Sequence, residues 1–187
     1  MIRSVLAATL SSSYGIYSGW ELCEADRLGE REEYLDSEKF EIQARDWDGK
    51  GNIKLLIGEL NRLRHQVSAL SRYENLRFEN VSGARTLFYR KALAHGKVDP
   101  LTGHPHRWRD AVFVAVNCDP TTAERAILHP DLPAIGIAWD DPYLLTDLLT
   151  GQATEERGAD LPVVLDPAGE PFRIFTIAPV DRGLAHR

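Results

Sequence analysis

The chain has 187 residues, enough for one sizeable domain or a domain with part of another, and 43% of them are hydrophobic, which is enough to build a core. Its formal net charge is −6, and its Lys and Arg residues are scattered along the chain rather than clustered. No basic surface is therefore available for a phosphate backbone, which argues against nucleic acid as a partner.

The cysteines and the hydropathy favour a cytoplasmic protein. Cys23 and Cys118 lie far apart in the sequence, so they suggest neither a disulfide framework nor a metal site. The apolar run at residues 5–10 is too brief for a signal peptide, and no cleavage site follows it. No run approaches the roughly 18 apolar residues of a membrane span, so no membrane partner is predicted.

The first third of the chain predicts a helix, a short strand and a long loop. Four apolar residues at helical spacing define the helix, namely Ile2, Val5, Leu6 and Leu10. Serines at 11–13 end this helix, and a strand is predicted at 14–18. Residues 20–51 follow neither period and predict a long loop, a feature that is usually functional or disordered inside a compact domain.

A second helix and a series of strands follow this loop. Asn52 can cap the helix, whose apolar stripe comprises Ile53, Leu56, Ile57, Leu60, Leu63, Val67 and Leu70. The β-rich runs lie at 75–78, 86–90, 111–117, 144–149, 163–165 and 172–178. Their spacing predicts an antiparallel sandwich or barrel, interrupted by a surface excursion at 92–110.

The predicted fold class is α+β, with a domain boundary near Ser71. Residues 1–71 have the order helix, strand, long loop and helix, which the closing segment of a (β/α)8 barrel requires. Residues 72–187 form an all-β C-terminal sandwich domain. Loops after the strands build the active site of such a barrel, so the loop at 20–51 should face the pocket. A parallel strand needs covered neighbours, so we expect the stripe from 53 to 70 to lack most of its packing partners in this chain.

Three consecutive segments carry a family resemblance. They read GIYSGWELCE at 15–24, ADRLGER at 25–31 and EEYLDSEKF at 32–40. Together they resemble the end of the catalytic barrel in alpha-1,4-glucan:maltose-1-phosphate maltosyltransferases, bacterial enzymes of the alpha-amylase superfamily. The run TDLLTG at 146–151 is similar to a turn in the C-terminal sandwich of alpha-amylase relatives.

The resemblance implies where the chemistry of such an enzyme lies. The aspartate nucleophile, the glutamate acid/base and the third aspartate follow barrel strands four, five and seven, so they are expected before Met1, and no catalytic residue is assigned in this chain. A Lys-Tyr pair at the end of the motif lines the donor-sugar pocket in the family. Lys39 and Phe40 occupy those positions here, and they are the predicted substrate-binding residues.

Several other side chains have ordinary structural interpretations beside functional ones. The loop acids are Glu21, Glu24, Asp36, Glu38, Asp46 and Asp48, and they are interpreted as caps and hydrating charges because sequence spacing cannot establish the roughly 5 Å separation of a retaining pair. His95, His104 and His106 have no metal-ligand spacing. Trp47 either anchors the loop or stacks on sugar, and Trp108, Trp139 and Tyr143 are either core residues or glucan-binding aromatics.

The predicted function is that of a C-terminal portion of a maltosyltransferase, which moves maltosyl units from maltose 1-phosphate to the non-reducing ends of alpha-1,4-glucans. The resemblance implies a retaining mechanism through a covalent glycosyl-enzyme, without metal or organic cofactor. We expect no transferase activity from this chain alone. Two alternatives remain, a non-catalytic glucan-binding sandwich and a subunit that completes a split barrel, and the chain could also form a homodimer.

Overall fold

The structure, a computed structural model, describes residues 1–31, 35, 42–93 and 111–180. Its helices are α1 (Ile2–Leu10) and α2 (Lys54–Gln66), with short 3-10 turns at Trp20–Leu22, Ser68–Ser71 and Pro133–Ile135. Its strands are β1 (Leu76–Phe78), β2 (Asn80–Ser82), β3 (Thr86–Ala92), β4 (Ala111–Asn117), β5 (Glu124–His129), β6 (Pro142–Asp147), β7 (Ala153–Arg157), β8 (Leu161–Leu165) and β9 (Phe172–Pro179).

The strands form two antiparallel sheets. The larger sheet has six strands in the order β1-β3-β4-β9-β6-β7, and the smaller has three in the order β2-β5-β8. Every described pairing is antiparallel, as expected for strands joined by short turns. The predicted antiparallel character of the second part of the chain is therefore confirmed, while its assignment beside a barrel segment stays a prediction.

Strand β4 is buried on both of its faces. All seven of its residues are buried, and they form one apolar run except for Asn117. Val112, Val114 and Val116 belong to a core shared with the helices, whereas Phe113 and Ala115 belong to a core shared with the small sheet. Alternate side chains of a strand point to opposite faces, so β4 joins a helical layer, the large sheet and the small sheet into three layers.

The apolar stripe of α2 is covered by α1 and by the large sheet. Leu60 and Leu63 are each 1% exposed and lie in the core that also contains Val5 and Ala8 of α1. The expectation that this stripe lacks packing partners is therefore wrong, because α1 and the large sheet together supply them. Among the described residues, no helix combines the length and apolar character that a membrane crossing requires.

The segment at 14–18 does not form the predicted strand. Every strand in the described ranges lies after residue 75 and pairs with another of these strands. None of them pairs with the segment at 14–18. Tyr14 instead docks on α2, where its hydroxyl donates to Oδ1 of Asn61 and its ring lies 5.1 Å from the guanidinium carbon of Arg64. Side-chain contacts with the helix, rather than sheet hydrogen bonds, hold this segment.

Lys91 of β3 is a buried cation, with 1% of its surface exposed. Its Nζ donates to the carbonyl oxygen of Leu70 at 3.1 Å, at the end of the 3-10 turn. Burial, and secondarily the charge of Arg64, lowers the pKa of Lys91 to about 8. An unfolded lysine has a pKa of about 10.4, so above pH 8 the unfolded chain binds more protons than the folded chain.

We therefore expect the free energy of unfolding to rise with pH between about pH 8 and pH 10, by about 1 to 2 kcal/mol from this group. Below pH 8 the lysine is charged in both states, and its contribution is constant. Lys91→Met should abolish the rise, whereas Lys50→Met, at an exposed position, should retain it. Urea denaturation at several pH values measures both variants, and an unchanged pH dependence in Lys91→Met would contradict the expectation.

Candidate functional site

The candidate site is the loop at 20–51, of which the structure describes the two ends. Lys39 and Phe40, the predicted substrate-binding residues, lie outside the described residues, as do Asp36 and Glu38. The outgoing end is the turn at 19–24, and the returning end runs from 42 to the start of α2. These two ends determine where the intervening segment begins and ends.

The outgoing turn depends on two left-handed residues. Gly19 has φ +99° and Cys23 has φ +59°, on either side of the 3-10 turn Trp20–Leu22. The amide of Glu24 donates a hydrogen bond to the carbonyl oxygen of Gly19 at 3.1 Å, which closes the turn. Trp20 fixes the turn to α1, because its Nε1 donates to Oγ of Ser4 at 3.0 Å. The turn is therefore built from backbone bonds and anchored by one indole.

Side chains tie the returning end to the outgoing turn. Nε of Arg45 donates to Oε2 of Glu24 at 3.0 Å, and its Nη2 lies 3.5 Å from the carbonyl of Ser18. The amide of Ile53 donates to the carbonyl of Glu21 at 2.8 Å. The two ends of the loop are therefore held side by side, and the intervening segment leaves from a fixed base.

The acids at this base mostly have the structural roles expected for them. Glu24 pairs with Arg45, and Oδ1 of Asp46 accepts the amide of Asp48 at 3.1 Å. Asp48 lies 3.5 Å from Nζ of Lys54, an exposed pair of little energetic value. Glu21 differs, because its Oε2 is buried and has no hydrogen-bond partner among the described residues. A buried oxygen without a donor is costly, so Glu21 has capacity to accept one more hydrogen bond.

A cleft of about 710 Å³ opens beside the turn. Its walls come from α1, from the turn and from sandwich loops, and they include Arg3, Trp20, Cys23, Glu24, Cys118 and Pro171. Both cysteines are free and both line this cleft, although they are distant in the sequence. No pattern of residues indicates this cleft, because the fold alone brings its two sides together.

The other candidate residues are distributed over the surface and the core. Trp47 is 46% exposed, and its carbonyl accepts Nζ of Lys54, so it belongs to the loop base. Trp139 is half exposed, while Tyr143 is fully buried and donates from its hydroxyl to the carbonyl of Gly158 at 2.7 Å. Tyr143 is therefore a core residue and cannot stack on a glucan. Trp108 and the three histidines at 95, 104 and 106 lie outside the described residues.

The described residues contain no group of three or more His, Cys, Asp or Glu side chains that could hold a metal ion.

Gly19→Ala should destabilise the turn. Its φ of +99° is a conformation that alanine rarely adopts, and a Cβ at this position would also displace the carboxylate of Glu24, which pairs with Arg45. Strain of this kind costs about 1 to 3 kcal/mol, so we expect the free energy of unfolding to fall by about 2 kcal/mol. Gly15→Ala is the matched control, because no atom lies within 4 Å of its Cβ. Equal urea midpoints for the two variants would refute the role of Gly19.

Comparison with known proteins gives concordant matches. The family described as "GLGE, C-terminal" matches residues 78–177. The chain is 39% identical over 96% of its length to the alpha-1,4-glucan:maltose-1-phosphate maltosyltransferase of Rhodospirillum rubrum, of which it covers 24%. It is 40% identical over 95% of its length to the protein of the same name from Methylacidiphilum infernorum, of which it covers 25%. The chain therefore spans about a quarter of the length of these curated relatives.

Among solved structures, an Anoxybacillus alpha-amylase matches 70% of this chain over 24% of the length of the amylase, with 17% sequence identity and a TM-score of 0.41.

Proposed function

The chain belongs to the GLGE C-terminal family, and we propose that it acts as the C-terminal portion of a maltosyltransferase. In this proposal the complete enzyme transfers maltosyl units from maltose 1-phosphate to the non-reducing ends of alpha-1,4-glucans. The observation that carries the proposal is the likeness to maltosyltransferases over almost the entire chain. That likeness includes the helical layer and the candidate loop as well as the sandwich.

We assign the loop a role in binding the donor sugar. Lys39 supplies an ammonium that donates hydrogen bonds to sugar hydroxyls, and Phe40 supplies an apolar ring face against a pyranose. Phe40 lacks the hydroxyl of a tyrosine, so one sugar hydrogen bond worth about 0.5 to 1.5 kcal/mol is absent. The fixed base between the turn at 19–24 and Arg45 supports this role, because a binding loop must leave its scaffold in a defined position.

The reacting carboxylates are assigned to the barrel that completes the enzyme, and not to acids of this chain. Three of the described acids support this division, because Glu24, Asp46 and Asp48 are engaged in ion pairs or turns. The proposed chemistry is a double displacement through a glycosyl-enzyme, which needs two carboxyl groups about 5 Å apart. In this scheme the present chain positions the donor and covers the barrel.

A hybrid enzyme tests the proposal. The C-terminal quarter of the Rhodospirillum rubrum relative is replaced by this chain, and phosphate release from maltose 1-phosphate is measured with glycogen as acceptor. We expect the hybrid to release phosphate and the isolated chain to release none. Lys39→Ala in the hybrid should raise KM for maltose 1-phosphate by about tenfold, since a hydrogen bond to a charged group contributes about 1.5 to 3 kcal/mol.

Lys50→Ala is the matched control for this experiment, because Lys50 is an exposed lysine at the returning end of the same loop. It should leave KM unchanged. A folded hybrid without phosphate release would contradict the proposed function, and equal KM values for the two variants would contradict the role of Lys39. Retardation of the isolated chain in a glycogen gel would instead favour a glucan-binding module.

A further inference from the structure

The outer face of the small sheet carries a serine, a histidine and an aspartate in a continuous hydrogen-bonded series. Oγ of Ser82 lies 2.9 Å from Nε2 of His129, and Nδ1 of His129 lies 2.8 Å from Oδ1 of Asp160. An ionised carboxylate can only accept, so Nδ1 carries the proton in the neutral imidazole. Nε2 is then free to accept the hydroxyl proton of Ser82.

Strand register explains why these side chains meet. In the β2–β5 pair, Asn80 lies opposite His129 and Ser82 lies opposite Ile127, so Ser82 and His129 are diagonal neighbours on one face. The alternate residue Leu128 is buried inward. Asp160 directly precedes β8, the other neighbour of β5. The series therefore runs from β2 across β5 to the residue that precedes β8.

Both ends of the short strand β2 are held in place. After Ser82, the carboxylate of Glu124 accepts the amide of Arg85 at 2.9 Å and the hydroxyl of Thr86 at 2.7 Å. Before the strand, Glu79 is paired with Arg90 at 2.5 Å, with both side chains largely buried. The hydroxyl of Ser82 is thus presented on a fixed backbone, as a nucleophile requires.

An apolar strip lies beside Ser82 on the same outer face. Ile127, directly opposite Ser82, is 40% exposed, and Val164 on β8 is 50% exposed. Pro162, the partner of Ile127 on β8, is also exposed. These side chains provide an open surface on which a short acyl chain could lie.

We propose that Ser82, His129 and Asp160 form an acyl-transfer site for carboxylic esters with a short apolar acyl group. Oγ of Ser82 attacks the ester carbonyl while its proton passes to Nε2 of His129, and Asp160 stabilises the resulting imidazolium. The carbon–oxygen bond to the alcohol breaks, and the alkoxide takes the proton from Nε2. Water then attacks the acyl-serine through the same base, which releases the acid and restores Ser82.

Covalent labelling tests this site without a known natural substrate. An alkyl fluorophosphonate is incubated with the full chain, and the modified residue is mapped by mass spectrometry. We expect one label, on Ser82, and none in Ser82→Ala. Asp160→Asn should slow labelling and hydrolysis of p-nitrophenyl butyrate by at least about tenfold, since an oriented general base contributes about 10² to 10⁴. Ser71→Ala, at an exposed serine in the helical layer, should behave as the parent chain.

The alternative is that the three side chains only tie the strands together. In that case the parent chain stays unlabelled at Ser82, while Ser82→Ala and Asp160→Asn lower the urea midpoint, and the proposal fails. Equal butyrate hydrolysis by the parent chain and Ser82→Ala would also overturn it. Because the site is remote from the loop at 20–51 in sequence and requires no maltose 1-phosphate, these outcomes are independent of the proposed function.

Discussion

Phe113→Ala is expected to lower the free energy of unfolding by about 4 kcal/mol, the usual range for removing a buried phenylalanine being about 3 to 5 kcal/mol. Phe113 is fully buried in β4 between the two sheets. Its ring lies 5.6 Å from that of Phe175 and 6.1 Å from that of Phe88, centroid to centroid. The substitution removes aromatic contacts on two sides and leaves a cavity in the core.

Phe78→Ala is the control for this prediction, because Phe78 lies on the edge strand β1 and is 65% exposed. Its loss should cost less than about 1 kcal/mol. Both variants are compared by urea denaturation monitored by circular dichroism. A loss below about 1.5 kcal/mol for Phe113→Ala would mean that the contact between the sheets contributes little to stability.

Arg64→Met is expected to lower the free energy of unfolding by about 3 kcal/mol, because one guanidinium satisfies carbonyl groups at the ends of two helical segments. Nη1 of Arg64 donates to three backbone carbonyl oxygens, those of Ala8 at 2.6 Å, Ser11 at 3.0 Å and Leu70 at 3.4 Å. Nη2 donates to Ser12 at 2.5 Å. These carbonyls lie at or near the ends of α1 and of the 3-10 turn, where the helix itself provides no donors.

Arg62→Met on the same helix provides the comparison. Arg62 is more exposed and pairs with Glu59 in an i, i+3 arrangement, so its loss should cost less than about 1 kcal/mol. A second measurement distinguishes the two variants, because the charge of Arg64 contributes to the lowered pKa of Lys91. Arg64→Met should therefore reduce the rise in stability above pH 8. Similar stability losses for the two variants would refute the capping role of Arg64.

The elements with strong periodicity could be predicted from the sequence. The helix beginning at Ile2 ends before the serines as expected, and β4 has the predicted limits. The N-cap of α2 is Ile53 rather than the predicted Asn52, and Oδ1 of Asn52, one position earlier, accepts the amide of Lys54 at 3.2 Å. In each case the signal is local, since a cap or an apolar run acts within a few residues of itself.

The missed strands are β2, β5 and β7. Strand β2 has only three residues, and β7 consists mainly of polar, exposed residues whose pairing depends on β6 across a turn. Strand β5 begins and ends with charged or titratable residues, which obscured its alternation. The cleft lined by Cys23 and Cys118 was equally invisible, because distant segments form it. Lys39 and Phe40 remain predictions from the resemblance.

The double burial of β4 has a consequence for how this unit can be exchanged between proteins. Val112, Val114 and Val116 are covered by residues of α1 and α2, including Val5 and Leu60. A recombination crossover anywhere between α1 and β1 would give the sheet a foreign cover that was not selected to fit it. The unit that can be exchanged between proteins without loss of this core is therefore the sandwich together with both preceding helices.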